Sequence, residues 1–301
     1  MNELQKKIID LKNKKDALIL SHYYQNMDVQ KVSDEVGDSF ALAKLAQKAK
    51  QELIILCGVR FMAESAKILN PEKAVYLPAG DAGCPMADMI SPQQVLELRK
   101  KHPQAAVVCY VNSSAEVKAQ SDICCTSSSA EKIVRSLPNK DIIFIPDRNL
   151  GSYVAKKIPE KNIILFEGCC PIHDAVSPDD ALSMKKAFPK AKLLVHPECR
   201  PQVLEYADYI GSTAEILDWA RKTQAQELII GTESGVYEIL KHEMPDKKIM
   251  LIREDFLCAD MKKTSLEDVL ACLEGEKEQL SLPQKELEAA RQSLERMVAV
   301  K

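Results

Sequence analysis

The feature of this 301-residue sequence that most constrains its fold is an internal repeat, in which an apolar run leads to a cysteine three times. The cysteines are Cys84, Cys170 and Cys258, and each run is preceded by a proline, an acidic residue and a lysine. Self-similarity at a fixed period is the signature of repeated structural units, each of which buries part of its surface against its neighbours. The sequence therefore predicts three related units, with one thiol from each meeting at a common point.

The repeat holds its register well beyond the cysteines. Offsets of 88 residues between the first and second units and 86 between the second and third align three sets of polar residues: His22, Tyr110 and His196; Tyr24, Asn112 and Glu198; Ser39, Ser127 and Thr213. Agreement over so many positions indicates a real triplication.

Each unit alternates short continuous apolar runs with helical patterns. Continuous apolar strands alternating with helices are typical of parallel sheets covered on both faces. We therefore expect an α/β fold of three pseudo-threefold-related, three-layer α/β/α domains around a central cavity. The expected units are residues 1–89, 90–175 and 176–258, followed by C-terminal helices packed on the body in 259–301. Local expectations include helices over 29–35 and 128–136, and a buried strand over 162–166.

Composition limits the classes of partner. The net charge of −3 gives no basic footprint, so nucleic acid is not an expected partner. Apolar runs stay shorter than the ~20 residues of a spanning helix, and the N-terminus lacks the apolar core of a signal peptide. We therefore expect no membrane association and a cytoplasmic location. The ten cysteines are then expected to be reduced, which favours metal or redox chemistry over disulfides.

The three repeated cysteines predict a metal centre. Cys-x-x-Cys spacing is absent, which argues against zinc ribbons and ferredoxin-type loops. Three widely spaced thiolates suit an iron–sulfur cluster with one iron open to act as a Lewis acid. Five others are expected to be structural, because they lie in apolar strands or a helix: Cys57, Cys109, Cys124, Cys125 and Cys272. The roles of Cys169 and Cys199 stay open.

Polar residues fall where strands are predicted to end. In parallel α/β sheets ligands bind beyond the carboxyl ends of the strands. Tyr24, His196 and Glu198 are candidate acid–base groups. The serines and threonine at predicted helix starts could bind anions through helix N-termini, and Ser128 and Ser212 each fit a capping box with a glutamate. Ordinary capping explains these starts equally well. Arg60 and Arg148 could contact substrate, cap a helix or form ion pairs between units.

At these residues the sequence resembles quinolinate synthase, the iron–sulfur enzyme of NAD biosynthesis, over almost its whole length. The motifs that carry the resemblance are Ser21-His22-Tyr23-Tyr24-Gln25, Gly37-Asp38-Ser39, Cys84-Pro85-Met86-Ala87, Tyr110-Val111-Asn112-Ser113, Cys125-Thr126-Ser127, Pro146-Asp147-Arg148-Asn149-Leu150-Gly151, Gly168-Cys169-Cys170-Pro171-Ile172-His173, His196-Pro197-Glu198-Cys199, Gly211-Ser212-Thr213, Gly231-Thr232-Glu233 and Cys258-Ala259-Asp260-Met261-Lys262.

The resemblance implies one [4Fe–4S] cluster held by Cys84, Cys170 and Cys258, with one iron open to substrate. It implies condensation of iminosuccinate with dihydroxyacetone phosphate to quinolinate, phosphate and water. An aspartate-oxidising or aspartate-dehydrogenating enzyme would supply the first substrate. The implied substrate-binding residues are His22, Ser39, Tyr110, Val111, Asn112, Ser127, His173, His196, Pro197, Glu198 and Thr213, and Tyr24 matches a residue lining the family's cavity.

Two positions depart from the family pattern. Asp260 stands where relatives commonly have asparagine, which puts the hydrogen bonding of that loop in question. Cys169 precedes Cys170 and is a possible competing thiol. Two other functions stay open: an aconitase-type iron–sulfur hydro-lyase, and a non-catalytic iron–sulfur carrier. A carrier would not need the ring of polar residues at the strand ends and would favour four cysteine ligands.

Overall fold

A computed structural model describes residues 1–300, and its strands form three parallel sheets of four strands each. The first sheet contains β1 Ala17–His22, β2 Glu35–Gly37, β3 Leu53–Cys57 and β4 Ala74–Tyr76. The second contains β5 Ala106–Tyr110, β6 Ile123–Cys125, β7 Asp141–Ile145 and β8 Asn162–Leu165. The third contains β9 Lys192–Val195, β10 Tyr209–Ile210, β11 Glu227–Gly231 and β12 Lys248–Leu251.

Helices alternate with these strands along the chain. They are α1 Glu3–Lys14, α2 Met27–Gln30, α3 Ser39–Lys48, α4 Arg60–Leu69, α5 Pro92–Lys101, α6 Ala115–Ala119, α7 Ala130–Ser136, α8 Arg148–Lys157, α9 Pro171–Asp174, α10 Pro178–Ala187, α11 Pro201–Leu204, α12 Thr213–Lys222, α13 Ser234–Glu243, α14 Leu266–Glu274 and α15 Gln284–Ala299, with short 3₁₀ helices at Ala87–Met89 and Asp260–Lys262. Within residues 1–300, none of the helices is both long enough and apolar enough to cross a bilayer.

The three sheets share one strand order, so the α/β fold of three related parallel sheets is confirmed. The orders are β2-β1-β3-β4, β6-β5-β7-β8 and β10-β9-β11-β12, with every neighbouring pair parallel. In each sheet the first strand lies between the second and the third. The strand order therefore reverses between the first and third strands. A ligand crevice is expected at the carboxyl ends of those two strands. All three sheets thus offer the same kind of binding edge.

The central strands form the core. The β5 and β7 side chains are buried almost throughout, which explains their continuous apolar sequences. One apolar cluster runs from the inner side of the first sheet through the whole second sheet into the third. A second lies between the first sheet, α1 and α14, and a third covers the outer face of the third sheet. The sheets are therefore packed against one another around the middle of the molecule.

The helix after each repeated cysteine begins in the same way. Ser91, Ser177 and Ser265 form capping boxes at the starts of α5, α10 and α14, at the same interval after Cys84, Cys170 and Cys258. The reciprocal side-chain and backbone hydrogen bonds of a capping box satisfy two otherwise free N–H groups. The division of the chain near residues 89, 175 and 258 stays a prediction.

Several local predictions were wrong. The helix expected over 29–35 is α2 at Met27–Gln30, because residues from Glu35 pair with β1 as a strand. The helix expected from residue 128 begins at Ala130. The capping box expected at Ser128 and Glu131 is absent: the N-cap is Ser129, whose hydroxyl accepts the Thr126 N–H, and Glu131 accepts from Arg135. The strand before Cys170 is half-buried, because β8 is an edge strand. The short helices α6, α9 and α11 were not predicted.

Candidate active site

A single cavity lies where the strand ends of the three sheets meet. Its empty volume is about 720 Å³, including the space open to solvent at its mouth. The predicted residues that line it are His22, Tyr24, Ser39, Cys84, Tyr110, Asn112, Ser127, Cys170, His173, His196, Glu198, Thr213 and Cys258. Two other predicted residues, Val111 and Pro197, are buried beside it and do not line it.

Each cavity cysteine has the same backbone surroundings. The backbone N–H groups of Ala87, His173 and Met261, each three residues further along the chain, partly offset the rise that burial causes in the pKa of Cys84, Cys170 and Cys258. Burial raises the pKa of Cys84 to about 12 and that of Cys258 to about 11. Metal binding requires the thiolate form, which a bound cation favours. The three thiols therefore stay protonated until a cation arrives.

The loops that carry these cysteines are held to the helices after β3, β7 and β11. The first backbone N–H of each helix donates to the carbonyl oxygen two residues before the cysteine: Arg60 to Ala82 at 2.9 Å, Arg148 to Gly168 at 2.7 Å and Ser234 to Phe256 at 2.8 Å. All ten cysteines are free thiols. Burial of the thiols agrees with the structural role expected for Cys57, Cys109, Cys124, Cys125 and Cys272. Cys199 is also buried, and Cys169 is partly exposed outside the cavity.

Glu198 is the hub of the hydrogen bonds on the cavity wall. Its Oε1 accepts the Tyr110 hydroxyl at 2.5 Å, and its Oε2 lies 2.9 Å from Nδ1 of His173. Burial alone would raise the pKa of Glu198, but His173, His196 and the Tyr110 hydroxyl together lower it to about 2. Asn149 donates to its carbonyl oxygen at 2.9 Å. Glu198 is therefore an ionised carboxylate held on both oxygens.

His22 and His196 occupy equivalent places after β1 and β9. The Nδ1 of His22 accepts the Tyr24 N–H at 3.1 Å, and that of His196 accepts the Glu198 N–H at 3.4 Å. Burial lowers the pKa of His22 to about 3 and that of His196 to about 4. Both rings are therefore neutral at pH 7. Because Nδ1 accepts a hydrogen bond in both rings, each ring carries its proton on Nε2. The Nε2 atom of His196 lies 3.3 Å from the Ser127 hydroxyl oxygen.

A second chain of contacts joins Tyr24 to His173. The Tyr24 hydroxyl lies 2.9 Å from the hydroxyls of both Thr213 and Thr232, and Thr232 lies 3.0 Å from Nε2 of His173. His173 also lies 3.2 Å from the Cys170 sulfur. Thr232 was missed as a site residue, although it directly follows β11 and is part of the Gly231-Thr232-Glu233 motif. The wall thus links two tyrosines through Thr232, His173 and Glu198.

The cavity offers helix starts and few cations. Ser39 and Thr213 are the first residues of α3 and α12, with Asp38 and Ser212 as caps, and the capping box at Ser212 is confirmed. Ser127 precedes α7 by a turn. The buried Oδ1 of Asn112 has no hydrogen-bond partner among residues 1–300. Over the same residues, the cavity lining contains neither lysine nor arginine. Backbone N–H groups and hydroxyls are therefore its main anion-binding groups.

The remaining charged candidates have structural contacts. Arg60 pairs with Glu64 at 3.0 Å within α4, and Arg148 pairs with Asp174 at 3.1 Å. These pairs do not join different units. For metal binding, the structure also brings together Cys170, His173 and Glu198, whose candidate ligand atoms lie within 4.8 Å of one another. The Glu198 and His173 atoms of that group already bond to each other.

Comparison with known proteins gives full-length matches. The family described as quinolinate synthetase A protein matches residues 6–299. A quinolinate synthase of Caldicellulosiruptor saccharolyticus is 48% identical over 298 residues, covering 99% of this chain and 98% of that protein. The quinolinate synthase of Caldicellulosiruptor bescii is 49% identical, covering 98% and 97%. That of Clostridioides difficile is 42% identical, covering 97% and 96%.

Proposed function

The chain belongs to the quinolinate synthetase A family, and from this premise we propose that it condenses iminosuccinate with dihydroxyacetone phosphate to give quinolinate, phosphate and water. Iminosuccinate then has to be supplied by oxidation or dehydrogenation of aspartate. The domain boundaries, the substrate contacts of Val111 and Pro197, and the cytoplasmic location stay predictions.

The observation that carries the proposal is the threefold placement of thiols. Cys84, Cys170 and Cys258 follow the last strands of three different sheets and line one cavity. Cys258 lies close enough to raise the pKa of Cys84, and Cys84 lies close enough to raise that of Cys170. Three converging thiols beside an open cavity fit a [4Fe–4S] cluster with three protein ligands. When bound, such a cluster supplies an open iron that acts as a Lewis acid toward a substrate oxygen or nitrogen.

The substrates are anionic, and the wall opposite the thiols is suited to hold them. Carboxylate and phosphate oxygens would bind at the starts of α3 and α12, where the hydroxyls of Ser39 and Thr213 stand at the first helical positions. The Ser127 hydroxyl and the Asn112 side chain extend this surface. The unpartnered Asn112 Oδ1 is an acceptor, so it would bind a hydroxyl or N–H group of a substrate, because a buried polar atom without a partner is costly unless a ligand satisfies it.

The hydrogen-bonded residues of the cavity wall are the candidates for proton transfer. Glu198 is ionised and fixed on both oxygens, so it is the candidate base for a proton on substrate carbon. Tyr24 keeps its proton, because burial raises its pKa well above the usual value, and it is the candidate acid. Neutral His196 can donate through Nε2 to a substrate oxygen. The chain through Thr232 and His173 offers a route by which a proton could pass between Tyr24 and Glu198.

The test is an anaerobic assay with protein reconstituted with iron and sulfide. Quinolinate should form only when both iminosuccinate and dihydroxyacetone phosphate are present. A hydro-lyase would instead dehydrate a single hydroxy acid without the phosphate-bearing partner, and a cluster carrier would do neither. Absence of quinolinate from cluster-replete protein supplied with both substrates would contradict the proposal.

A further inference from the structure

Two buried carboxylates stand beside the cavity cysteines. Asp147 and Glu233 are fully buried and hold equivalent positions, immediately before α8 and α13. One oxygen of each caps its helix, because Asp147 accepts the Leu150 N–H at 2.8 Å and Glu233 accepts the Gly235 N–H at 2.6 Å.

The second oxygen of each carboxylate reaches a cysteine. Asp147 accepts the backbone N–H of Cys170 at 3.1 Å, and Glu233 accepts that of Cys258 at 3.3 Å. Each carboxylate therefore ties the start of a helix to the backbone of one cysteine, in the same way in two units. Helix capping alone uses only one oxygen, so it does not explain why the second oxygen of both carboxylates bonds to a cysteine N–H.

In the first unit a different contact holds the cysteine loop. Val59 occupies the equivalent position before α4 and has no side-chain acceptor. The loop of Cys84 is held from the segment after Cys258 instead, because the Gly83 N–H donates to Asp260 Oδ1 at 3.3 Å. Asp260 also pairs with Lys263 at 2.9 Å. A carboxylate thus holds a backbone N–H at or beside each of the three cysteines.

Capping alone does not account for a buried carboxylate. Six other helices of this chain are capped by neutral side chains, namely those of Asn2, Ser91, Ser114, Ser177, Ser212 and Ser265. Burying a carboxylate costs free energy unless it is paired or hydrogen-bonded. Burial and the nearby Glu198 raise the pKa of Asp147 to about 8, and within residues 1–300 no lysine or arginine lies in salt-bridge contact with it, so its polar partners are backbone N–H groups. Glu233 lies 3.6 Å from Lys262 Nζ as well. The contact with the cysteine backbone distinguishes both carboxylates from the neutral caps.

We propose that Asp147 and Glu233 are positioning residues for Cys170 and Cys258. By holding each cysteine's backbone against a helix start, they keep its sulfur directed into the cavity before any metal is present. The inference rests on the proposed function, since it takes these cysteines as ligands of an iron–sulfur cluster. It adds residues that act through the cluster ligands.

The test uses Asp147→Asn and Glu233→Gln in the full-length chain. An amide oxygen can replace one of the two carboxylate acceptors, but the amide NH₂ cannot accept the other N–H. The matched control is Asp38→Asn, because Asp38 caps α3 through the Ala41 N–H at 2.9 Å and lies at the same cavity without contacting a cysteine N–H. After anaerobic reconstitution, we would measure iron and sulfide content, the rate of iron release to a chelator, and the electron paramagnetic resonance spectrum of the reduced protein. Thermal unfolding of the metal-free proteins measures any general loss of stability.

We expect Asp147→Asn and Glu233→Gln to release iron at least about tenfold faster than wild type, equivalent to about 1.4 kcal/mol, and to show altered spectra. Asp38→Asn should release iron like wild type. Should Asp147→Asn fail to fold, Glu233→Gln tests the same contact independently. Release at the wild-type rate from both variants, or equal acceleration in Asp38→Asn, would overturn the inference. Wild-type protein that takes up no cluster would instead contradict the proposed function.

Discussion

The substitution Glu198→Gln tests whether the carboxylate takes part in catalysis or only helps to hold the cavity together. The substitution keeps the size and shape of the side chain and removes its charge. Wild-type Glu198 receives hydrogen bonds from Tyr110 on one oxygen and His173 on the other. Glutamine keeps one acceptor and turns the other into a donor, so one bond is lost and the remaining one no longer involves a charge.

The expected size of the effect follows from these contacts. Hydrogen bonds to charged groups contribute ~1.5–3 kcal/mol each, so losing one and weakening the other costs about 3–5 kcal/mol. If that loss falls on the transition state, it corresponds to about 10²–10⁴ in rate at 1.36 kcal/mol per factor of ten. The same range is typical for removal of a positioned acid or base. We therefore expect kcat to fall by that factor, with substrate binding largely kept.

The assay is anaerobic steady-state formation of quinolinate, with iron and sulfide measured on the same preparation. The matched control is Glu64→Gln, because Glu64 is a buried glutamate that bonds to Arg60 and to the Ala115 N–H outside the cavity. It should reduce stability and leave kcat near wild type. Near-wild-type kcat in cluster-replete Glu198→Gln would refute a chemical role for this carboxylate.

Three further predictions concern the cluster, the packing and the pH response. Cys170→Ala should lose the cluster while Cys169→Ala loads normally; full iron content in Cys170→Ala would identify Cys169 as the ligand. Gly235→Ala should lower the free energy of unfolding by ~1–3 kcal/mol and reduce activity, because its Cβ would lie 2.5 Å from a backbone oxygen of the loop after β1. Gly80→Ala is the control in the denaturation experiment, because its Cβ would meet no atom within 4 Å. His22 has a pKa of about 3 when folded and ~6.5 when unfolded. The unfolded chain therefore binds a proton first as pH falls, and this residue costs wild type ~2 kcal/mol of stability at pH 5. His22→Gln should lose that much less unfolding free energy between pH 7.5 and 5, and equal losses in denaturant titrations would contradict this.

Much of the frame was predictable because its signals are local. The central strands are continuous apolar runs, and the three cysteines recur at a nearly constant interval, so both appear directly in the sequence. The start of α12 was predicted correctly because Ser212 and Glu215 bond to each other within one turn. The start of α7 was not, because Ser129 bonds backward to Thr126.

Other parts of the site depend on contacts that only folding creates. Thr232 gains its importance by lying between Tyr24 and His173, which are distant in the sequence. Asp147 and Glu233 look like ordinary helix caps until the loops carrying Cys170 and Cys258 close on them. The half-buried state of β8 follows from its place at the edge of a sheet, which an apolar sequence does not specify.

The supply of one thiol from each sheet has a thermodynamic consequence. A group bound to all three sulfurs closes two long loops of chain at once, like a cross-link, and the entropy lost by closing a loop grows only slowly with its length. Because the unfolded chain does not hold the sulfurs together, the free energy of binding appears as resistance to unfolding of all three sheets. In metal-free protein, unfolding of the three units should therefore be less cooperative. A fragment that lacks any one unit would lose one cluster ligand and the coupling between units together.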